Sequence, residues 1–254
     1  MDRIALAVSL QNENLSQATL LKVIDKILFF QPTRTVMFDE YSKEKIEKHL
    51  VNVWEKNEDF YDTLSDENEE GNSLTINVSA DKKIHLTGLI DQGTFRDSTI
   101  TESITSIFEE IGGGVYAYLV SKEDRRWQNN DSISLYKKFH QSLDGIRIIP
   151  HPKLKKQLII DVTQFPGHNR TYKGLWFGSC WMMWYGNEYF HFLDREKMVT
   201  FLECEEKYVL SDGTVRIKLY NDPFAYNEEE NRRRQWAFRD YMNIDEIVNK
   251  HNSR

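Results

Sequence analysis

An α+β fold, with mainly antiparallel sheets and helices packed on them, is predicted by three observations. Amphipathic helical and alternating strand patterns follow one another irregularly, without the strict strand–helix beat of a doubly wound sheet. Short turn signals, Ala80-Asp81-Lys82, Gly186-Asn187 and Asp212-Gly213, join pairs of alternating or apolar runs, as antiparallel hairpins require. Residues 174–192, reading GLWFGSCWMMWYGNEYFHF, place ten aromatic or methionine side chains in 19 positions of a chain whose mean hydropathy is -0.61. A segment that apolar is buried, in the core or under a partner.

The elements follow in order. Residues 3–10 are aliphatic and read as a strand. Ser16 caps a helix that carries Leu20, Ile24, Ile27 and Leu28 on one face and stops at Gln31-Pro32. Residues 35–38 read as a second strand, and Ser42 caps a helix with Ile46, Leu50, Val53 and Trp54 on one side. Residues 59–73 turn acidic and read as a mobile loop centred on Asp66-Glu67-Asn68-Glu69-Glu70-Gly71. Strands follow at 74–78 and 83–90. Thr99 and Glu102 form a capping box for a helix presenting Ile104, Ile107, Phe108 and Ile111, which ends at Gly112-Gly113-Gly114. A strand is expected at 114–120. Asp131 caps a helix carrying Leu135, Tyr136, Phe139 and Leu143, closed by Gly145.

The second half is strand-dominated: 158–162, then 182–185 and 189–192 around Gly186-Asn187. Asp194 caps a helix with Met198, Phe201 and Leu202. The Asp212-Gly213 pair is the clearest local signal, flanked by 208–211 and 214–220, because both turn positions favour positive φ. One final helix, capped by Asn227 with Glu230, aligns Ala237, Tyr241, Ile244 and Val248. The prolines of Ile149-Pro150-His151-Pro152 mark a boundary between two subdomains, 1–149 and 150–254.

Composition narrows the function. The 254 residues are 40% hydrophobic and 13% aromatic, enough for a substantial core. Net charge is -7, which disfavours nucleic acid, since phosphate binding needs a basic stripe. The densest basic run, Arg232-Arg233-Arg234, follows Glu228-Glu229-Glu230 and is neutralised locally on a helix. No run approaches a membrane span or a signal peptide. Cys180 and Cys204 make neither a disulfide framework nor a zinc site. A reducing cytoplasm is the expected compartment, with no membrane partner.

Catalytic signatures are weak. The triple glycine ends a helix, whereas a phosphate cradle opens one. None of the seven histidines forms a metal-binding spacing, so neither metal nor cofactor is expected. His168 is the best general-base candidate, with Asp161 near it in sequence. Glu205-Glu206-Lys207 matches the triplet of a metal-dependent nuclease but falls at a helix end. Cys180, between Ser179 and Trp181 on a buried strand, is expected to be core. An assembly subunit that buries its aromatic strands in a homo-oligomer is a further alternative.

The run Trp181-Met182-Met183-Trp184-Tyr185-Gly186-Asn187-Glu188-Tyr189-Phe190, with the following helix and the Asp-Gly hairpin, resembles bacterial immunity proteins of polymorphic-toxin systems. The resemblance covers the last third of the chain and is one of kind. It implies a non-enzymatic inhibitor that binds a toxin domain stoichiometrically, with carboxylates meeting a basic site and aromatics its rim. The candidate contacts are Asp66, Glu67, Glu69 and Glu70 in the acidic loop, and Trp184, Glu188 and Tyr189 in the aromatic hairpin. The alternative is a small hydrolase or nuclease using Asp161 and His168, with or without a divalent metal.

Overall fold

A computed structural model describes residues 2–11, 16–67, 71–154 and 156–252. Among these residues the elements run β1 (Arg3–Gln11), α1 (Gln17–Ile27), β2 (Arg34–Thr35), α2 (Lys43–Lys56), β3 (Phe60–Ser65), β4 (Ser73–Val78), β5 (Lys83–Asp91), α3 (Asp97–Ile111), β6 (Gly114–Ser121) and α4 (Lys122–Asn129). They continue with α5 (Ile133–Lys138), β7 (Ile148–Pro150), β8 (Leu158–Ile160), β9 (Arg170–Tyr172), β10 (Leu175–Phe177), β11 (Met182–Tyr185), α6 (Arg195–Thr200), β12 (Glu206–Val209), β13 (Val215–Lys218), α7 (Glu229–Tyr241) and α8 (Ile244–Asn252). Nine strands form one sheet in the order β12-β13-β11-β6-β1-β5-β4-β3-β2, and its neighbouring strands pair antiparallel. The α+β class holds.

Strand β1 lies near the centre and splits by face. Ile4, Leu6, Val8 and Leu10 point one way, while between Arg3 and Gln11 the other side carries the small residues Ala5, Ala7 and Ser9. The bulky face packs beneath α1, α2 and α3, whose buried stripes (Leu20, Val23 and Ile27; Ile46 and Leu50; Ile104, Ile107 and Phe108) face it. Two contacts fix α3 on this side: the Trp184 indole donates to Thr105 Oγ1 at 3.4 Å, and Thr101 lies 3.5 Å from the Met182 sulfur. On the opposite face, residues 165–193, α4 and α7 cover β11, β6 and part of β1 and leave β3–β5 uncovered. There Trp176 sits 4.5 Å from Tyr118, and Tyr185 packs between Tyr189 and Phe238.

The expected boundary at 149/150 does not divide this sheet. Strands β11 and β13, from beyond it, pair in line with β6 and β1, and one core cluster spans both halves. Backbone closeness at that junction depends on glycine. A Cβ on Gly186 would collide with the Gly114 carbonyl oxygen, so no side chain fits where the chain leaves β11 beside the start of β6. Gly186→Ala is expected to cost about 1–3 kcal/mol by overpacking. An unchanged urea midpoint would contradict that close approach.

Several local expectations change. Strand β3 occupies the stretch expected to be loop: Phe60, Asp62 and Leu64 alternate inward, and pairing with β4 outweighs the acidic composition. The second strand shrinks to Arg34–Thr35. Helix α3 starts at Asp97, two residues before the expected cap. The predicted strand at 189–192 is a 3-10 turn over Asn187–His191, because Tyr189 must fold back to donate its hydroxyl to the Trp176 carbonyl. Helix α4 was not foreseen, and α5 begins after Ser132 and spans only Ile133–Lys138. In the β12–β13 loop only Gly213 has positive φ, and the Asp212 carboxylate instead accepts from the Thr214 amide and hydroxyl. The single C-terminal helix is two, α7 and α8, broken at Asn243 with φ 52°.

Candidate functional site

The aromatic segment is core. Trp184 and Tyr189 are both 0% exposed, Trp184 under α3 and Tyr189 against Phe177 and Tyr185. The sequence cannot reveal this, because a strand sandwiched between two helical layers is apolar on both faces. Of that trio only Glu188 reaches solvent. Neither buried ring can touch a partner in this fold.

The acidic candidates lie elsewhere. Asp66 is half-buried and accepts from the Asn72 amide and side chain at 2.9 Å, so its carboxylate helps shape the β3–β4 hairpin. Glu67 is exposed at the hairpin tip. Glu69 and Glu70 lie outside the described residues. The register also separates this hairpin from Glu188. Strand β3 is five strand spacings from β11, roughly 24 Å. Residues 65 and 73 close one end of the strands, while Glu188 follows Tyr185 at the other. The two clusters do not form one patch.

The Asp161–His168 pair is not assembled either. Asp161 caps a 3-10 turn through Thr163 and pairs with Arg147 at 2.6 Å. His168 is buried, its Nδ1 at 2.6 Å from the Phe165 carbonyl and its Nε2 at 2.6 Å from Arg239 Nη2 and 3.2 Å from Asp245 Oδ1. Both ring nitrogens are therefore occupied by structural partners. Arg239, itself buried, donates to the carbonyls of Pro166 and His168 and bidentately to Asp245. This ion cluster ties the 165–170 loop to α7 and α8. Burial pushes the Asp245 carboxyl up, but the hydrogen bonds from Arg239 and His168 outweigh it and hold the group well below the usual carboxylate range. Cys180 is buried within 3.6 Å of the Leu119 and Met182 carbonyls, and burial pushes its thiol well up, so it is no nucleophile at neutral pH. Glu206, of the nuclease-like triplet, pairs with Arg216 and Lys218.

A cleft of about 420 Å³ opens between α4, α5 and α7, walled by Trp127, Tyr136, Phe165 and Trp236. Its cation, Arg232, is already paired at 2.6 Å with the fully buried Asp124. Among the described residues no group of three or more His, Cys, Asp or Glu is placed to hold a metal ion.

What the fold leaves open is the second face of β3, β4 and β5. Two register rows cross it: Tyr61, Asn77, His85, Ser9, Tyr116, and Thr63, Thr75, Thr87, Ala7, Tyr118. Tyr61 is 59% exposed and Asn77 is exposed, while Thr63, Thr75, His85 and Thr87 are half-buried. Thr63 and Thr75 share a hydroxyl hydrogen bond of 2.9 Å across the strands. No carboxylate stands in either row. A flat, hydroxyl-rich face edged by tyrosine suits a macromolecule better than a small substrate. The signal was present in the alternation of Phe60-Tyr61-Asp62-Thr63-Leu64, hidden by the acidic residues that follow.

No protein-family model matches the chain, and no curated protein matches it. The fold is shared with a solved structure, the Pseudomonas aeruginosa T6SS protein PA0821, at a TM-score of 0.55 over 98% of this chain and 76% of that one, with 7% sequence identity. Among the described residues no helix is long and apolar enough to cross a membrane.

Proposed function

We propose that this chain is a non-enzymatic protein-binding module, an immunity-type inhibitor that captures and neutralises a bacterial toxin domain. The observation that carries the reading is the uncovered second face of β3–β5, on a side of the sheet that is packed over β6 and β11. The likeness in fold to a T6SS protein is compatible with a toxin-related setting. Tyr61 is the anchor expected at the centre of the contact, since exposed tyrosines dominate interface energetics. Glu67, exposed just past the end of β3, rims the same half of the sheet and would steer a basic partner.

The test is affinity capture of the tagged protein from its source cells through a high-salt wash, followed by calorimetry with the purified partner. A stoichiometric complex that abolishes the partner's toxicity is expected. Tyr61→Ala should weaken it by about 2 kcal/mol, some thirty-fold, with no loss of thermal stability. Glu67→Lys should mainly slow association. A partner whose toxicity persists in the complex would sink the inhibitor reading.

A further inference from the structure

The small residues of β1 leave a trough in the open face. Ala5 and Ala7 lie buried where α4 crosses, but Ser9 remains partly open between His85 on β5 and Tyr116 on β6. The His85 and Tyr116 rings stand 6.1 Å apart across it. Tyr116 stacks parallel to Tyr118 at 6.3 Å, and Arg125 of α4 reaches over Tyr118 with its guanidinium carbon 5.5 Å from the ring centre.

The four polar side chains here share one property. Among the described residues, the Arg125 guanidinium has no carboxylate partner, and Ser9, His85 and Tyr116 make no side-chain hydrogen bond. The guanidinium can only donate, and the two hydroxyls and the imidazole each have a proton to give. A half-buried guanidinium left unpaired in a chain of net charge -7 is unusual, because its other arginines on this side, Arg232 and Arg239, are tied to Asp124 and Asp245. The complement of such a group is a carboxylate, which a guanidinium meets with two parallel hydrogen bonds. Burial, and secondarily the Arg125 charge, lower the His85 pKa, so at neutral pH the positive charge belongs to Arg125.

We propose that Arg125, Ser9, His85 and Tyr116 form a subsite for an acidic side chain of the protein partner, seated in the trough and continuous with the Tyr61 row. The inference rests on the protein-binding reading and adds the partner's chemistry: an Asp or Glu that enters beside α4, while the acidic rim near Glu67 faces a basic region. Opposite charges at two places on one face fix the orientation of docking.

The probe is a capped pentapeptide with a central glutamate, titrated into the full-length protein and followed by NMR. Shifts should appear at the Arg125 Nε–Hε resonance and at the Ser9, His85 and Tyr116 amides. The matched glutamine peptide should bind roughly ten-fold more weakly, as should the glutamate peptide to Arg125→Gln. If Arg125→Gln melts early, Ser9→Ala serves as the second variant, with a smaller loss at the same resonances. Equal shifts with both peptides, or shifts elsewhere, overturn the subsite. Sodium acetate binding as tightly as the peptide overturns the partner side chain as its occupant and leaves a small-anion site. A captured toxin that binds Arg125→Gln with unchanged affinity overturns this inference alone. Peptide binding in a protein that captures no toxin overturns the functional reading alone.

Discussion

Trp184→Ala is expected to destabilise the protein by about 3–5 kcal/mol, the cost of emptying a fully buried aromatic site. Trp184 fills the space between β11 and α3 and is 0% exposed. Its removal also frees the Thr105 hydroxyl. Urea unfolding measures the loss directly, and Glu188→Lys, three residues past β11 and exposed, should leave the midpoint unchanged. The contrast separates a core segment from an interface. If Trp184→Ala kept its stability and lost a partner instead, the aromatic segment would be the binding surface and the packing described here would be wrong.

The second large effect is at Arg239. Arg239→Ala empties a fully buried site and removes the donor to two carbonyls and to the partly exposed Asp245, which keeps Arg170; the acceptors left unpaired cost about 1–3 kcal/mol, and the lost packing adds to that. The same cluster has a pH signature. The folded Asp245 carboxyl is held below its unfolded value of about 4, so its stabilising contribution is present above that pH and is lost as the pH falls toward the folded value. Asp124 runs the other way. Burial raises its carboxyl despite Arg232, so its contribution is full at low pH and fades as the pH rises through its folded value. Asp91 and Asp161, also held low, act in the same direction as Asp245, so the Asp245 share of the acid loss is the part that a variant removes. Asp245→Asn should remove the Asp245 share of that loss, so that its stability falls less than the wild type's between neutrality and pH 3. An Asp245→Asn acid profile parallel to wild type would show that the cluster carries no such linkage.

Much of the fold was legible because most elements carry their own signal. The stripes of α1, α2 and α3, the strands β4, β5 and β6, and the β12–β13 hairpin were all read from period and capping residues. What was missed depended on tertiary contacts. Helix α4, reading KEDRRWQN, is polar along its length, and its buried Asp124 and Gln128 are satisfied by each other and by partners on α7 and the 165–170 loop. The break at Asn243 exists because Asp245 must turn back to Arg239. The site was less legible than the fold. Aromatic density drew attention to 174–192, yet burial decides whether an aromatic is anchor or core, and burial follows from the helices on either side. Arg125 was invisible for the opposite reason: only the register of β1, β5 and β6 brings Ser9, His85 and Tyr116 together, beside the Tyr118 ring that Arg125 covers.

The central claim, that the partner sits on the open face of β3–β5, is tested most directly by hydroxyl-radical footprinting of the complex with the captured toxin. Tyr61, well exposed in the free protein, should oxidise readily alone and be protected in the complex together with His85, while residues 187–191 keep their free-state reactivity. Unchanged oxidation of Tyr61, with protection confined to 187–191, would place the interface at the end of the aromatic segment and contradict the account.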